Sequence, residues 1–155
     1  MGSGKSTAGR ILAARTGYAF VDSDNEVEAR AGVSVVEIFR QSGESHFREL
    51  ERLAICDLLT ADHRVIATGG GAFIDEASGE ELLARAFTVH LSCDFQEAFR
   101  RVEGLEGRPL VRNGEVAAMA LYQNRKAKYA RAHASVDTTH RTPDEVAAAI
   151  LILLG

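Results

Sequence analysis

The 155-residue chain predicts an α/β fold, a parallel sheet flanked by helices on both faces. Three observations carry that expectation. Short apolar runs with aromatic and β-branched content alternate with longer helix-compatible segments. The runs end at polar or glycine-rich positions, Asp22-Ser23-Asp24 after one and Gly69-Gly70-Gly71 after another. Finally, Gly2-Ser3-Gly4-Lys5-Ser6-Thr7 has the composition of a backbone loop folded around an anion at the start of a helix.

In chain order, residues 7–16 offer Ala8, Ile11, Leu12 and Ala14 for packing as a first helix. Tyr18-Ala19-Phe20-Val21 is a buried strand by composition, and Asp24 is placed to cap a helix over 25–31 that Gly32 stops. Ser34 with Glu37 has capping-box spacing for a helix over 35–40. Gly43 precedes a longer helix to about residue 60, in which Phe47, Leu50, Ala54 and Leu58 share one face. Residues 64–68 form the next strand, 76–84 a helix, 87–91 a strand and 94–103 a helix. A polar, glycine-punctuated loop occupies 104–114 and contains Arg108-Pro109-Leu110. A long helix over about 116–134 leads to a strand at 135–137, and Pro143 opens the terminal helix, where its missing N–H is harmless.

Length and composition place the chain as one domain with a sizeable core. A net charge of −4 offers no general attraction to nucleic acid, and no apolar run approaches the ~18 residues of a membrane span. Cys56 and Cys93 lack metal or disulfide spacing, and the five histidines show no ligand pattern. With no visible signal peptide, these features lead us to expect a cytoplasmic, reduced setting. A monomer is the expected state, separately from these features.

The glycine-lysine-serine segment states the chemistry. Backbone N–H groups cradle the phosphates of a nucleoside triphosphate, Lys5 reaches the β/γ positions, and the Ser6 hydroxyl is a ligand for Mg²⁺. In the full motif G-x-x-x-x-G-K-S/T, the first glycine would fall one residue before Met1. Asp22 is a second oxygen donor for the metal, and Asp24 is placed to orient or deprotonate an attacking hydroxyl. Both follow a strand, and so do Gly69, Gly70 and Gly71; in open parallel sheets that is the end where ligands bind. Three successive glycines weaken a strand end unless something must approach the backbone closely. Arg48 and Arg125 are candidate forks for a carboxylate. Arg108, in the loop, suits a lid that brings positive charge to a transferring phosphate.

Taken together, these segments resemble shikimate kinase almost end to end. The resemblance rests on Gly2–Thr7 with Gly9-Arg10, Asp22-x-Asp24, Gly32-x-Ser34-x-x-Glu37-Ile38-Phe39, and Gly43-Glu44-x-x-Phe47-Arg48-x-x-Glu51. It continues through Ala67-Thr68-Gly69-Gly70-Gly71, Arg108-Pro109-Leu110, Arg125-x-x-x-Tyr129 and Val136-Asp137-Thr138. It implies a P-loop kinase of the nucleoside-monophosphate-kinase type, with sheet order 2-3-1-4-5, a substrate-binding helical region over about 24–60 and a lid over about 104–114. It implies ATP and shikimate as substrates, Mg²⁺ as cofactor, and phosphorylation of the shikimate 3-hydroxyl on the route to aromatic amino acids.

Carried over by position, the ATP site comprises Gly2, Ser3, Gly4, Lys5, Ser6, Thr7, Arg101, Arg108 and Arg141. Arg101 lies against adenine and Arg141 sits in the adenine loop. Asp24, Arg48, Gly69, Gly70, Gly71 and Arg125 hold shikimate; Lys5, Asp24 and Arg108 serve catalysis; Ser6 and Asp22 hold the metal. The family's first strand precedes the phosphate loop and is expected to be missing from this chain. Ala127 and Lys128 stand where proline and an apolar residue are usual in the family, and the loop lacks the usual acidic residue after it. Two other readings fit some of the same residues. One is another small-metabolite kinase, such as a gluconate kinase, and the other a shikimate-kinase-like binding module with impaired catalysis.

Overall fold

A computed structural model describes residues 2–102 and 114–155. Among these residues are seven helices and four short strands. They are α1 (Lys5–Thr16), β1 (Ala19–Asp22), α2 (Ser23–Ala31), α3 (Val35–Leu58), β2 (Arg64–Ala67), α4 (Glu76–Arg85), β3 (Val89–Ser92), α5 (Phe95–Val102), α6 (Gly114–Tyr129), β4 (Ala134–Asp137) and α7 (Pro143–Leu154). The predicted loop at 104–114, with Arg108, lies outside the described residues apart from its last position. No described helix is long and apolar enough to cross a membrane.

All strand pairing is parallel, as the strand–helix alternation predicts. β1 pairs with β2 in a register that sets Ala19 opposite Arg64 and Asp22 opposite Ala67. β3 pairs with β4, with Val89 opposite Ala134 and Ser92 opposite Asp137. The two pairs are separate sheets. Between them lies a cavity of about 380 Å³ walled by Leu12, Val65, Leu82, Leu91 and Ile150, with Lys5 also on its lining. In the five-strand order that the resemblance implies, these strands take the four outer places and the cavity lies at the central one.

The core divides accordingly. Ala8 and Leu12 of α1 pack with Val136 of β4 and with Val146, Ala147 and Ile150 of α7. Val27, Ile38, Phe47 and Ala54 join α2 to α3. Ile55, Ala72 and Leu82 form a third cluster beneath α4.

Several local expectations hold, and others shift. Gly32 ends α2 in the left-handed region at φ 71°. Ser34 caps α3 by accepting from the Glu37 N–H at 3.2 Å. Glu37 does not complete the box; its carboxylate binds Arg40 and Gln41. Thr142 and Glu145 do form a full capping box around Pro143. The cap of α2 is Asp22, not Asp24: Asp22 Oδ1 accepts from the Asp24 N–H at 3.2 Å, because the helix starts at Ser23. The two helices predicted on either side of Gly43 are both present within α3, joined across a kink where Gly43 leaves helical geometry at φ 77° and ψ 177°. β3 begins two residues later than expected, and α6 stops at Tyr129, five residues short of the expected end. Ala127, standing where the family has proline, keeps its place inside an unbroken helix.

Candidate functional site

The phosphate loop has its expected shape. Gly2 and Gly4 sit at φ 68° and 79°, a region that disfavours any side chain, and α1 starts immediately at Lys5. The N–H groups of that first turn have no acceptor within the helix itself, and this is the end at which a helix binds anions. Ser3 is buried, Thr7 is exposed, and Lys5 lies half-buried at the edge of the central cavity.

From this loop a series of close contacts runs across the carboxyl end of β1 and β2. Ser6 Oγ donates to Asp22 Oδ2 at 2.8 Å, which joins α1 to the end of β1. Asp22 caps the helix that carries Asp24. Asp24 Oδ1 and Glu51 Oε1 both converge on Gly69, where a Cβ would stand 2.7 Å and 2.8 Å from them. The Gly69 N–H donates to the fully buried Ser23 hydroxyl at 3.0 Å. Gly71 is overlain by the Arg48 guanidinium so closely that a Cβ there would overlap it. Over Gly70, the same test places Arg125 Nη1 at 3.0 Å and Tyr129 Oη at 3.3 Å. The three glycines are therefore a floor on which two acids and two arginines stand. Close approach explains them better than a flexible turn does.

The electrostatics of this floor centre on Glu51. Its carboxylate is buried, and Oε2 accepts from Arg48 Nη1 at 2.6 Å. Oε1 has no hydrogen-bond partner among the described residues. Burial pushes this carboxyl above its ordinary range, and Arg48 only partly opposes that shift. For Arg48, burial works against the charge, but the bonds to Glu51 and then Glu44 outweigh it and hold the guanidinium above its ordinary value. The Tyr129 phenol is raised by burial, with Arg125 pulling the other way. His90, stacked on Tyr129, is lowered by burial and by the charge of Lys5.

At the neighbouring end of the β3–β4 pair, Arg101 joins the loop to the turn after β4. Its guanidinium donates to the Gly2 carbonyl at 3.3 Å and to the Thr138 carbonyl at 2.9 Å, and Nε donates to Glu97 at 3.0 Å. Arg141 follows in the same turn, its N–H bonded to Thr138 O. Ser6, Asp22, Asp24, Arg48, Gly69, Gly70, Gly71 and Arg125 thus form one connected group. Arg101 and Arg141 form a second, tied to the first through the phosphate loop. Arg108 cannot be placed, because it lies outside the described residues.

Two side chains of this site, Glu51 and Tyr129, have no role in the sequence reading beyond their place in the matched segments. Glu51 leaves a signal: it stands four residues after Phe47 and three before Ala54, inside the apolar stripe of α3, where a carboxylate is costly unless paired.

A phosphate loop at the end of parallel strands, with a serine–aspartate oxygen pair and a facing group of acids and arginines, defines a P-loop kinase that acts on a small acceptor molecule. Comparison with known proteins narrows this class. The family model for shikimate kinase matches residues 1–154. The shikimate kinase of Salinispora tropica is 41% identical over 99% of this chain and 92% of its own length. That of Persephonella marina is 35% identical over 97% of this chain and 92% of its own. Among solved structures, shikimate kinase from Acinetobacter baumannii in complex with shikimate superposes with a TM-score of 0.95 at 34% identity, covering 99% of this chain and 88% of that one. The Aquifex aeolicus shikimate kinase gives 0.89 at 34% identity over 99% and 91%. The chain belongs to the shikimate kinase family, and the gluconate-kinase alternative is not favoured.

Proposed function

We propose that this chain phosphorylates the 3-hydroxyl of shikimate with ATP, and that the connected group between Ser6 and Arg125 is where it does so. The observation carrying this reading is the unbroken run of contacts from Ser6 through Asp22, Asp24, Gly69 and Glu51 to Arg48. It sets a phosphate-binding loop, a candidate base and a cationic fork within one small region.

In this reading the loop N–H groups, the α1 N-terminus and Lys5 take the β- and γ-phosphates of ATP. Ser6 and Asp22 hold Mg²⁺. Their adjacent hydroxyl and carboxylate oxygens are the hard donors that ion prefers. Among the described residues no group of three or more acidic, histidine or cysteine side chains could hold a metal. Phosphate oxygens and water would therefore complete the coordination. When bound, the ion would supply positive charge against the developing charge on the phosphates. Asp24 accepts the proton of the attacking hydroxyl or orients it. Arg48 and Arg125 grip the substrate carboxylate from two sides of the glycine floor, and Arg101 and Arg141 flank the nucleotide's far end. Arg108, the candidate cation for the phosphates, lies outside the described residues. The reading takes the enzyme to be a cytoplasmic monomer.

The test is ADP release with shikimate and with gluconate, measured for the native chain and for Asp24→Asn. Turnover is expected with shikimate alone. The variant is expected to lose about 10²–10⁴-fold in kcat while binding ATP normally. Equal turnover with gluconate, or an Asp24→Asn enzyme that works at the native rate, would refute the reading.

A further inference from the structure

Tyr129 plays no part in the scheme above, yet three contacts converge on it. Its hydroxyl donates to the Gly70 carbonyl at 2.5 Å, across 59 positions of sequence. Its ring stacks on His90 of β3, with centroids 5.0 Å apart and planes inclined by 29°. Arg125 precedes it by one helical turn on α6, and the two side chains meet above Gly70, Arg125 Nη1 and Tyr129 Oη both lying within 3.3 Å of the place a Cβ would occupy.

The hydrogen-bonding capacities of these groups settle their order. A phenol has one O–H to give and lone pairs to receive, whereas a guanidinium only donates. With the O–H committed to the Gly70 carbonyl, the phenol oxygen faces Arg125 as an acceptor. The ring also packs on His90 of β3, which restrains its swing away from Gly70. A long, rotamer-rich arginine is thereby given one preferred direction before any ligand arrives, and less freedom remains to be lost on binding.

We propose that Tyr129 is a positioning residue. It holds the Arg125 guanidinium over Gly70 in the orientation that receives the substrate carboxylate. The proposal rests on the reading of Arg125 as a carboxylate fork.

The test is a two-by-two set: the native chain, Tyr129→Phe, Arg125→Ala and the double variant. Phenylalanine keeps the ring and its stack and removes only the hydroxyl. Tyr129→Phe is expected to raise the shikimate KM about three- to ten-fold, the worth of one hydrogen bond, with the ATP KM and kcat changed less than about two-fold. In the Arg125→Ala background the same substitution is expected to add less than about two-fold, since the group it orients is gone. A purely structural phenol would act equally in both backgrounds, so equal factors overturn the proposal. An unchanged shikimate KM in Tyr129→Phe overturns it as well. If Arg125→Ala alone leaves the shikimate KM unmoved, the carboxylate reading fails first and the proposal with it. An activity-independent readout accompanies these: the Arg125 Nε–H resonance should be sharp in the native chain and broadened by exchange in Tyr129→Phe.

Discussion

Arg48 and Arg125 stand over adjacent glycines, but the protein holds them in opposite ways. Arg48 is tied by two carboxylates, Glu51 at 2.6 Å and Glu44 at 3.0 Å, and its cation also lies 5.0 Å from the centre of the Phe47 ring. Its side chain is only 20% exposed. Arg125 has no Asp or Glu within 4.0 Å among the described residues; its neighbours are a phenol and the Gly70 backbone. The difference separates two jobs that a pair of arginine forks can share. Arg48 is fixed in direction, but its charge is already largely answered by the protein. Arg125 keeps its charge for a ligand and relies on a neutral group for direction. In the proposed site, Arg48 therefore supplies geometry and fold stability, and Arg125 supplies most of the attraction for a carboxylate.

The largest expected effect follows from removing Arg48. Arg48→Ala would leave the buried Glu51 carboxylate without its counter-ion, a lesion that typically costs about 3 kcal/mol or more of stability. The pH dependence has a definite sign. The Glu51 carboxyl is already raised above its ordinary value of about 4.5 in the folded state, and losing Arg48 raises it further. A carboxyl with a raised folded pKa favours the fold fully when protonated in both states. That advantage is lost as pH climbs from the unfolded value through the folded one. The deficit of Arg48→Ala relative to the native chain should thus be greatest at neutral pH and shrink as pH falls toward 4.5. Adding Glu51→Gln should restore much of it. Urea unfolding across that pH range would break the comparison if the deficit were flat, or if the glutamine gave no relief.

Arg125→Ala should do the reverse. No buried carboxylate is stranded, so unfolding free energy should move by less than about 0.5 kcal/mol. The shikimate KM should nevertheless rise about ten- to a hundred-fold, as expected for losing a charge-assisted bond to an anion, with little change in the ATP KM. Equal increases in both KM values would remove Arg125 from the carboxylate end of the site.

How much of this was legible beforehand depends on how local the information is. The phosphate loop, Asp22, Asp24, the glycine run and both arginines are visible because each segment carries its own chemistry within a few residues. The hold on the arginines is less visible. Glu51 can be recognised as a misfit in an apolar stripe, but the stripe does not say that Arg48 and Gly69 are its neighbours. The Tyr129–Gly70 bond joins α6 to a loop 59 residues away, a distance no local pattern spans. The missed boundaries have local causes. α6 ends without glycine or proline in a run of helix-compatible residues, Ala130-Arg131-Ala132, where turn hydrogen bonds take over. Asp22 and Asp24 are both competent caps, and only the start of α2 at Ser23 decides between them. The parallel strands were readable from their composition, whereas the cavity between the two pairs was not. The walls of that slot, drawn from α1, β2, α4, β3 and α7, emerge only from the packing.

The smallest effect is the sharpest check on which partner holds Arg48. Glu44 is 67% exposed and lies 3.0 Å from Arg48 Nη2, whereas Glu51 is buried on the other side of the same guanidinium. An exposed ion pair gains little in water and is screened by salt, whereas a buried one is screened much less. Glu44→Gln should therefore change the shikimate KM by less than about two-fold at low ionic strength, and the change should vanish as salt is raised. Glu51→Gln, by contrast, should change the KM by a larger factor that persists in salt, because a neutral amide cannot fix the guanidinium as strongly as a carboxylate. If the two variants behave alike, Arg48 is steered from the solvent side, and its burial against Glu51 no longer explains why it points across the glycine floor.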